Sequence, residues 1–454
     1  MSKSSDDSPG TTTRSTSSRI AGTLELRGVS KAFGAKIKSY LRLANPAYQT
    51  ACRANPRARF ALSEWIRYYV DARPDGPLTI PRGVLGKLSS ENIAWTDDTV
   101  SVPCDVPVST IRLREYQEGV AEVVLTNTDG IFRLGTGWGK TILGLRIHEL
   151  LRQKTLIIVP RLDLLDSFIL EYEKFFPKKS GRIQGKICDI QDFTVATIQS
   201  LRNAVAAGKV KDDDFSCLIV DECHLMVPEK SRSTIEFFRP KHRYALSGTL
   251  DRGDGQGDAI SWIFGKVLVD KELPGMVPSV RVAEFRGYIP TLRYDESVTR
   301  QVKNEDRNKM IVEQINMLVS EGRKVLCLVK RCEHAELLGE MVHGSTILRS
   351  TADREDRKET MRGLKESTLG FNVIIGTFSL IGVGTDVPSL SGLVIAGDLK
   401  SSVLSRQSAG RLLRLFEGKK DPVIVDIYDS NSAVFRRQGR QRHEYFRSLG
   451  WSVK

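Results

Sequence analysis

"GIFRLGTGWGKT", residues 130–141, is the stretch on which the reading of the whole chain turns. Ile131, Phe132 and Leu134 make a short apolar run of strand character, and "TILGLRIHELLRQ" from Thr141 onward has the apolar spacing of a helix. Three glycines between a strand and a helix put small residues where a helix N-terminus can meet an anion. The backbone N–H groups of Gly137, Gly139 and Lys140 can then approach phosphate. The Lys140 ammonium reaches toward the β- and γ-phosphates, and the Thr141 hydroxyl suits Mg²⁺. Gly135, Thr136 and Trp138 complete the loop, while Leu134 stands where the strict phosphate-loop pattern has glycine. Taken alone, the loop is read equally well as a glycine-rich turn.

A second stretch decides between them. "CLIVDECHL", residues 217–225, is a continuous apolar strand that delivers Asp221 and Glu222 at its carboxyl end, where ligands bind in open parallel sheets. Asp221 can hold a metal, and Glu222 can orient and deprotonate an attacking water. Phosphoryl transfer from Mg²⁺–ATP needs both roles.

The surrounding rhythm is that of βαβ units. β-Branched runs ("TLIIVP", "FTVATI", "CLIVDE", "YALSGT") alternate with helical segments between 107 and 268. The same rhythm returns after 305 in "KVLCLVK", "STILRS", "NVIIGT", "LVIAGD" and "PVIVDI". The expected organisation is a disordered Ser/Thr-rich tail over 1–22, a small N-terminal domain over 23–105 and an α/β domain over 106–270. An irregular connector over 271–304 and a second α/β domain over 305–454 follow. Apolar positions at helical spacing predict helices between 23 and 70, broken at the two Asn-Pro steps.

Composition narrows the partners. Sixty-eight Lys and Arg against 55 Asp and Glu leave a net charge of +13, which favours polyanions. Residues 23–70 hold nine Lys/Arg against two Glu, interleaved with Tyr40, Tyr48, Trp65, Tyr68 and Tyr69, a surface suited to phosphate contacts and stacking. "FRRQGRQRHEYFRSLGW" (435–451) carries five arginines and predicts a basic helix along nucleic acid. Seven cysteines without a CxxC pair point to reduced thiols, and no apolar run approaches membrane-spanning length. A cytoplasmic monomer with no membrane partner is expected.

Four motifs in fixed order then carry a resemblance. "LGTGWGKT" (134–141), "DECH" (221–224), "ALSGT" (245–249) and "QSAGRLLR" (407–414) resemble motifs I, II, III and VI of superfamily 2 helicases of the DExH kind. "LREYQ" (113–117) resembles their adenine-reading motif, "TLIIVPRLDLL" (155–165) and "VATIQSL" (195–201) their strand-contacting motifs, and "GVGTDVPSL" (382–390) motif V. The leucine opening the phosphate loop is similar to that of one branch. That branch holds phage recombination and branch-migration helicases, the repair helicase of transcription factor H and the type I and III restriction translocases. "LTIPRGVLGKL" (78–88) is similar to a segment of its phage-type members.

The resemblance implies an α/β fold of two tandem RecA-like domains, parallel sheets flanked by helices, with a small N-terminal α+β domain that contacts duplex. It implies ATP and Mg²⁺ as cofactors and DNA as substrate, with RNA as the alternative and a non-catalytic nucleic-acid scaffold as the alternative from another class. Gln117 would read adenine and Asp386 would touch ribose. Arg411 and Arg414 would be the fingers that neutralise the γ-phosphate, with Gln407 and His224 beside them in the cleft. Ser247 and Thr249 would couple hydrolysis to strand movement. Pro160, Arg161, Thr197, Lys330 and Thr377 would hold the sugar-phosphate backbone.

Overall fold

The computed structural model describes residues 17–54, 62–71, 76–88, 91–135, 137–250, 254–271, 277–290, 293–348, 372–378, 389–397 and 419–454. These fall into two compact units. One comprises the described residues up to Arg112 with Gly119–Arg133 and Ile142–Val269. The other comprises Leu113–Glu118, Leu134–Thr141 and the described residues from Asp270 onward.

The N-terminal elements of the first unit are β1 (Ser18–Ile20), β2 (Thr23–Leu26), α1 (Lys31–Tyr40), β3 (Arg42–Ala44), α2 (Pro46–Ala54), β4 (Trp65–Arg67), β5 (Val70–Asp71), β6 (Leu78–Pro81) and β7 (Trp95–Asp97). Five of the strands form one sheet in the order β5-β6-β2-β1-β7, and β3 and β4 form a separate two-stranded ribbon. Two expectations change here. Ser18–Ile20, read as part of a disordered tail, is a strand because β2 and β7 pair with it on either side. The first Asn-Pro step begins a helix instead of breaking one: Asn45 Oδ1 accepts from the Ala47 N–H, and Pro46, whose missing donor costs nothing there, is the first residue of α2.

The chain continues through β8 (Asp129–Leu134), α3 (Lys140–Leu151), β9 (Thr155–Val159), α4 (Leu162–Phe175), β10 (Gly181–Gln184), β11 (Ile187–Asp189), β12 (Phe193–Thr197), α5 (Ile198–Ala206), β13 (Cys217–Asp221), α6 (Glu229–Phe237), β14 (His242–Ser247), α7 (Asp258–Phe264) and β15 (Val267–Lys271). The sheet has the order β11-β10-β12-β9-β13-β14-β8-β15, and its strands from β10 to β8 are parallel. All five residues of each of β9, β12 and β13 are buried, as expected of strands covered on both faces.

The core does not stop at residue 106. Leu24, Ile80 and Val84 lie in the same apolar cluster as Ile131, Leu218, Trp262 and Phe264. Gly22 and Gly83 make this contact close: a Cβ on Gly22 would lie 2.0 Å from the Glu236 carbonyl oxygen, and one on Gly83 would lie 2.3 Å from the Gly265 nitrogen. Arg82, 3% exposed, donates to Asp129 Oδ2 at 3.0 Å, to the Lys241 carbonyl at 2.9 Å and to the Pro240 carbonyl. Fully buried Arg243 lies 3.6 Å from the other Asp129 oxygen and donates to the Gly22 carbonyl at 2.8 Å. The domain boundary expected between 105 and 106 is therefore no boundary of packing, and "LTIPRGVLGKL" supplies Arg82, one of the two arginines that join the sheets.

The second unit adds β16 (Ser279–Phe285), α8 (Tyr294–Val302), α9 (Glu305–Ser320), β17 (Lys324–Val329), α10 (Cys332–Met341), β18 (Ser345–Leu348), β19 (Val373–Thr377), β20 (Leu390–Ile395), β21 (Val423–Asp429) and α11 (Ala433–Ser448). Its sheet, in the order β16-β21-β20-β17-β19-β18, is parallel throughout. The segment expected to be an irregular connector thus holds an edge strand, β16, registered along its whole length on β21. The basic helix α11 forms over the expected residues but turns part of its charge inward: Arg442 and His443 grip buried Asp426 at 2.9 Å and 2.7 Å. Arg436, Arg437, Arg440 and Arg447 remain exposed.

Burial also keeps three imidazoles neutral. His148 and His242 are each lowered to about 4 and His334 to about 3, in every case mainly by loss of solvent. The unfolded chain takes up these protons near pH ~6.5 and the folded chain only well below it, so folding stability should fall as pH drops from ~6.5 toward ~4. Urea midpoints measured across that window should decline steadily. A flat midpoint would show that these rings do not control acid stability.

Candidate active site

Parallel pairing sets the site by aligning strand ends. Thr197 is registered with Val159, Val220 with Ile158, Asp221 with Leu246 and Ser247 with Arg133. The carboxyl ends of β12, β9, β13, β14 and β8 therefore lie along one edge of the sheet, and each candidate residue of this unit sits on that edge. The sequence could show that each run ends in a polar motif, but not which strand lies beside which.

At the end of β13, Asp221 is 3% exposed and Glu222 turns the chain with φ 48° and ψ 49°. A side chain in this left-handed conformation costs ~1–2 kcal/mol, and such strain collects where geometry serves function. The turn brings Glu222 Oε2 to 3.4 Å from His224 Nδ1. The same nitrogen lies 3.0 Å from Ser247 Oγ, which donates to the Thr249 carbonyl at 2.5 Å and accepts from the Thr249 N–H at 3.3 Å. His224, Ser247 and Thr249 are all buried. "DECH" and "ALSGT", 20 residues apart in sequence, are thus joined by close polar contacts that run from a carboxylate to the next strand's loop.

The glycine-rich loop follows β8 and leads into α3, which starts at Lys140. Gly137 (φ 85°) and Gly139 (φ 100°) both occupy the region open to glycine, so the loop's path requires those two residues. Trp138 is 1% exposed, meets Tyr116 edge-on at 5.6 Å and donates its N–H to the Gly135 carbonyl at 3.1 Å. Gln117, expected to read adenine, here holds the loop: its Nε2 donates to the Trp138 carbonyl at 2.8 Å and its Oε1 accepts from the Arg114 N–H at 3.0 Å. Tyr116 is a residue that motif reading passed over. The aromatic ring before Gln117 in "LREYQ" was its only signal.

The strand-contacting candidates also come together at sheet edges. Pro160 and Arg161 follow β9, with exposed Arg161 at the N-cap of α4, beside Thr197 at the end of β12. The Thr197 hydroxyl is engaged in capping α5 through Ser200, so its backbone is what the edge presents. In the second unit Lys330 follows β17 next to Thr377 at the end of β19, with Val329 registered on Thr377. Thr136, Asp386, Gln407, Arg411 and Arg414 lie outside the described residues.

The donor chemistry suits Mg²⁺, a hard cation that takes oxygen ligands and keeps several waters. Asp221 offers a carboxylate and Thr141 a hydroxyl. Among the described residues no group of three or more His, Cys, Asp or Glu side chains is placed to hold a metal unaided. No helix among the described residues is long and apolar enough to cross a membrane.

Comparison with known proteins agrees with this layout. Residues 110–252 match the family model described as type III restriction enzyme, res subunit. A mimivirus protein of Acanthamoeba polyphaga, provisionally named ATP-dependent RNA helicase L396, is 25% identical over 75% of this chain and 69% of its own. The ATP-dependent DNA helicase uvsW of Enterobacteria phage T4 is 23% identical over 69% of this chain and 68% of its own. The fragment structure of an HsdR subunit of a type I restriction enzyme from Vibrio vulnificus is similar in fold, with a TM-score of 0.52 at 19% identity, over 69% of this chain and 62% of that one. With two largely parallel sheets of RecA-like fold and this order of motifs, the chain is similar to the superfamily 2 ATP-dependent helicases, in the branch of the phage helicases, the transcription factor H repair helicase and the restriction translocases.

Proposed function

We propose that the chain is a DNA helicase or translocase that uses ATP hydrolysis to unwind or branch-migrate DNA in phage recombination, repair or replication. The line from Glu222 through His224 to Ser247 and Thr249 carries this reading, because it joins the carboxylate that would activate water to a loop on the neighbouring strand. Lys140 and the loop backbone would bind the phosphates, and Glu222 would take the proton of the attacking water. His224 and Ser247 would pass the state of the nucleotide onward. Asp221 and Thr141 would hold Mg²⁺, which when bound neutralises charge on the β- and γ-phosphate oxygens. Arg411, Arg414, Gln407 and Asp386 take the roles that their motifs imply. Pro160, Arg161, Thr197, Lys330 and Thr377 would grip sugar and phosphate, contacts that position a strand without reading its bases.

Residues 23–105 would hold the duplex arm, and the β3–β4 ribbon supports that role. Arg42 and Arg67 are direct cross-strand partners, as are Ala44 and Trp65, and both arginines are exposed. Like charges placed opposite one another destabilise a ribbon unless an anion lies against them, and a two-stranded ribbon fits the major groove of B-DNA. Trp65 stays 37% exposed under the Arg42 guanidinium, 4.7 Å from its ring centroid. Other members of the basic, aromatic segment are already engaged: Lys38 pairs with Asp71, and Tyr68 is buried with its hydroxyl on Gln256. We place the protein in the cytoplasm as a monomer.

ATP turnover should be measured with no nucleic acid, single-stranded, duplex, forked and four-way DNA, and RNA. Forked or four-way DNA should stimulate most. The double variant Arg42→Glu/Arg67→Glu should weaken duplex-arm binding and make the slope of log affinity against log salt shallower by ~0.9 for each phosphate that the arginines no longer neutralise. Stronger stimulation by RNA than by every DNA would favour the RNA-dependent alternative, toward which the mimivirus relative's name points.

A further inference from the structure

The second unit holds a surface cavity of about 370 Å³ at the carboxyl end of β16, lined by Tyr288, Ile289, Pro290, Thr299, Arg300 and Lys303, with Asn304 closing it. This volume lies within the ~300–1,000 Å³ range of small-ligand sites and leaves room for one nucleotide. Tyr288 is 68% exposed, although Ile289 beside it is 1% exposed and Pro290 accepts a hydrogen bond from Ser297 Oγ at 3.2 Å. The ring therefore stands out from an anchored loop.

The opposite wall is rigid. It is made by the last turn of α8 and the start of α9, where Asn304 Oδ1 caps the helix through the Arg307 N–H at 2.9 Å. Both helices are pinned beneath the cavity to Asp429 at the end of β21, by Gln301 at 2.8 Å and by Arg307 at 2.7 Å and 3.1 Å. Gln301, Arg307 and Asp429 are at most 3% exposed, so this network fixes the wall before any ligand arrives. A second tie links the wall to the candidate strand track. Arg331, next to Lys330, donates to Thr299 Oγ1 at 2.7 Å and to the Asp295 carbonyl at 3.0 Å. Lys330 Nζ lies 5.8 Å from the Tyr294 ring.

We infer that this cavity is a subsite for one nucleotide of a single strand, with the base stacked on Tyr288 and the phosphate held by Arg300 and Lys303. The inference rests on the nucleic-acid motor reading above and adds a contact that none of the helicase motifs supplies. Stacking on an aromatic ring tolerates any base, and two cations at the rim suit the backbone. Among the described residues Lys303 pairs with Glu333 at 3.8 Å, with both side chains at least half exposed. Such a pair contributes little and yields readily to a phosphate.

The test uses the full chain, a fluorescein-labelled oligothymidylate and, separately, free dTMP. Tyr288→Ala should weaken oligothymidylate binding by ~5- to 150-fold, the equivalent of one stacked base. Tyr288→Phe should stay within about twofold of the parent. Arg300→Ala and Lys303→Ala should each make the salt slope shallower by ~0.7. Melting temperature and ATP turnover without nucleic acid should not change in any of the four. If the parent binds oligothymidylate and Tyr288→Ala binds it equally well, the subsite is overturned while the motor reading stands. If the parent binds no nucleic acid, both fall. A loss confined to free dTMP would overturn the strand as the occupant.

Discussion

Glu222→Gln should leave ATP binding near the parent value and lower turnover by ~10²–10⁴-fold, the usual contribution of a positioned general base. Glutamine has the same shape and keeps a polar group beside His224, 3.4 Å from the Glu222 carboxylate, but it cannot take a proton from water. The protein should therefore bind nucleotide and stop there. Lys140→Ala should also abolish turnover, but by weakening ATP binding itself, because the ammonium at the head of α3 would be the cation facing the β- and γ-phosphates. Fluorescent-nucleotide binding and steady-state turnover, measured on both variants at saturating DNA, separate the two. Near-parental hydrolysis by Glu222→Gln would remove Glu222 from the role of base, and unimpaired nucleotide binding by Lys140→Ala would remove Lys140 from the phosphate site.

Arg82→Ala should destabilise the first unit by about 3–5 kcal/mol, the range for breaking one side of a buried ion pair. Its guanidinium is 3% exposed and spreads over Asp129 and the carbonyls of Pro240 and Lys241. Removing it leaves the Pro240 carbonyl buried without this donor and strips the part-buried Lys241 carbonyl and Asp129 of theirs. Asp129 would keep only the longer 3.6 Å approach of Arg243, whose own pKa burial lowers to about 10. Arg82→Lys should recover little, because one ammonium cannot reproduce a planar fork that reaches four acceptors, the Ala21 carbonyl among them. Urea midpoints with unchanged slope would measure the loss. A change below about 0.5 kcal/mol, the scale of an ordinary surface substitution, would show that apolar packing alone joins the N-terminal sheet to its neighbour. Deleting residues 1–105 should yield an aggregating protein, since Trp262, Ile263 and Phe264 share a core with Leu24, Ile80 and Val84.

The sequence by itself determined the class of fold and which residues are candidates for its chemistry. A phosphate loop must be contiguous, because its ligands are successive backbone amides, so a sequence can display a candidate for one, and Gly137 and Gly139 stand where the observed loop takes φ 85° and 100°. Asp221 and Glu222 close a run of buried apolar residues, so periodicity alone puts them at a strand end. Only the tertiary structure decided what lies next to what. The strand order brings Ser247 to His224, and parallel register lines up Thr197 with Val159. The N-terminal sheet docks largely on main-chain carbonyls and on glycines at 22 and 83 that allow close approach, and a carbonyl carries no residue identity for a sequence to display. Charge was ambiguous for the same reason. Arg42, Arg82 and Arg442 are alike as letters in a sequence, yet one is exposed on a ribbon and two are locked inside by carboxylates far away in the chain or on a neighbouring strand.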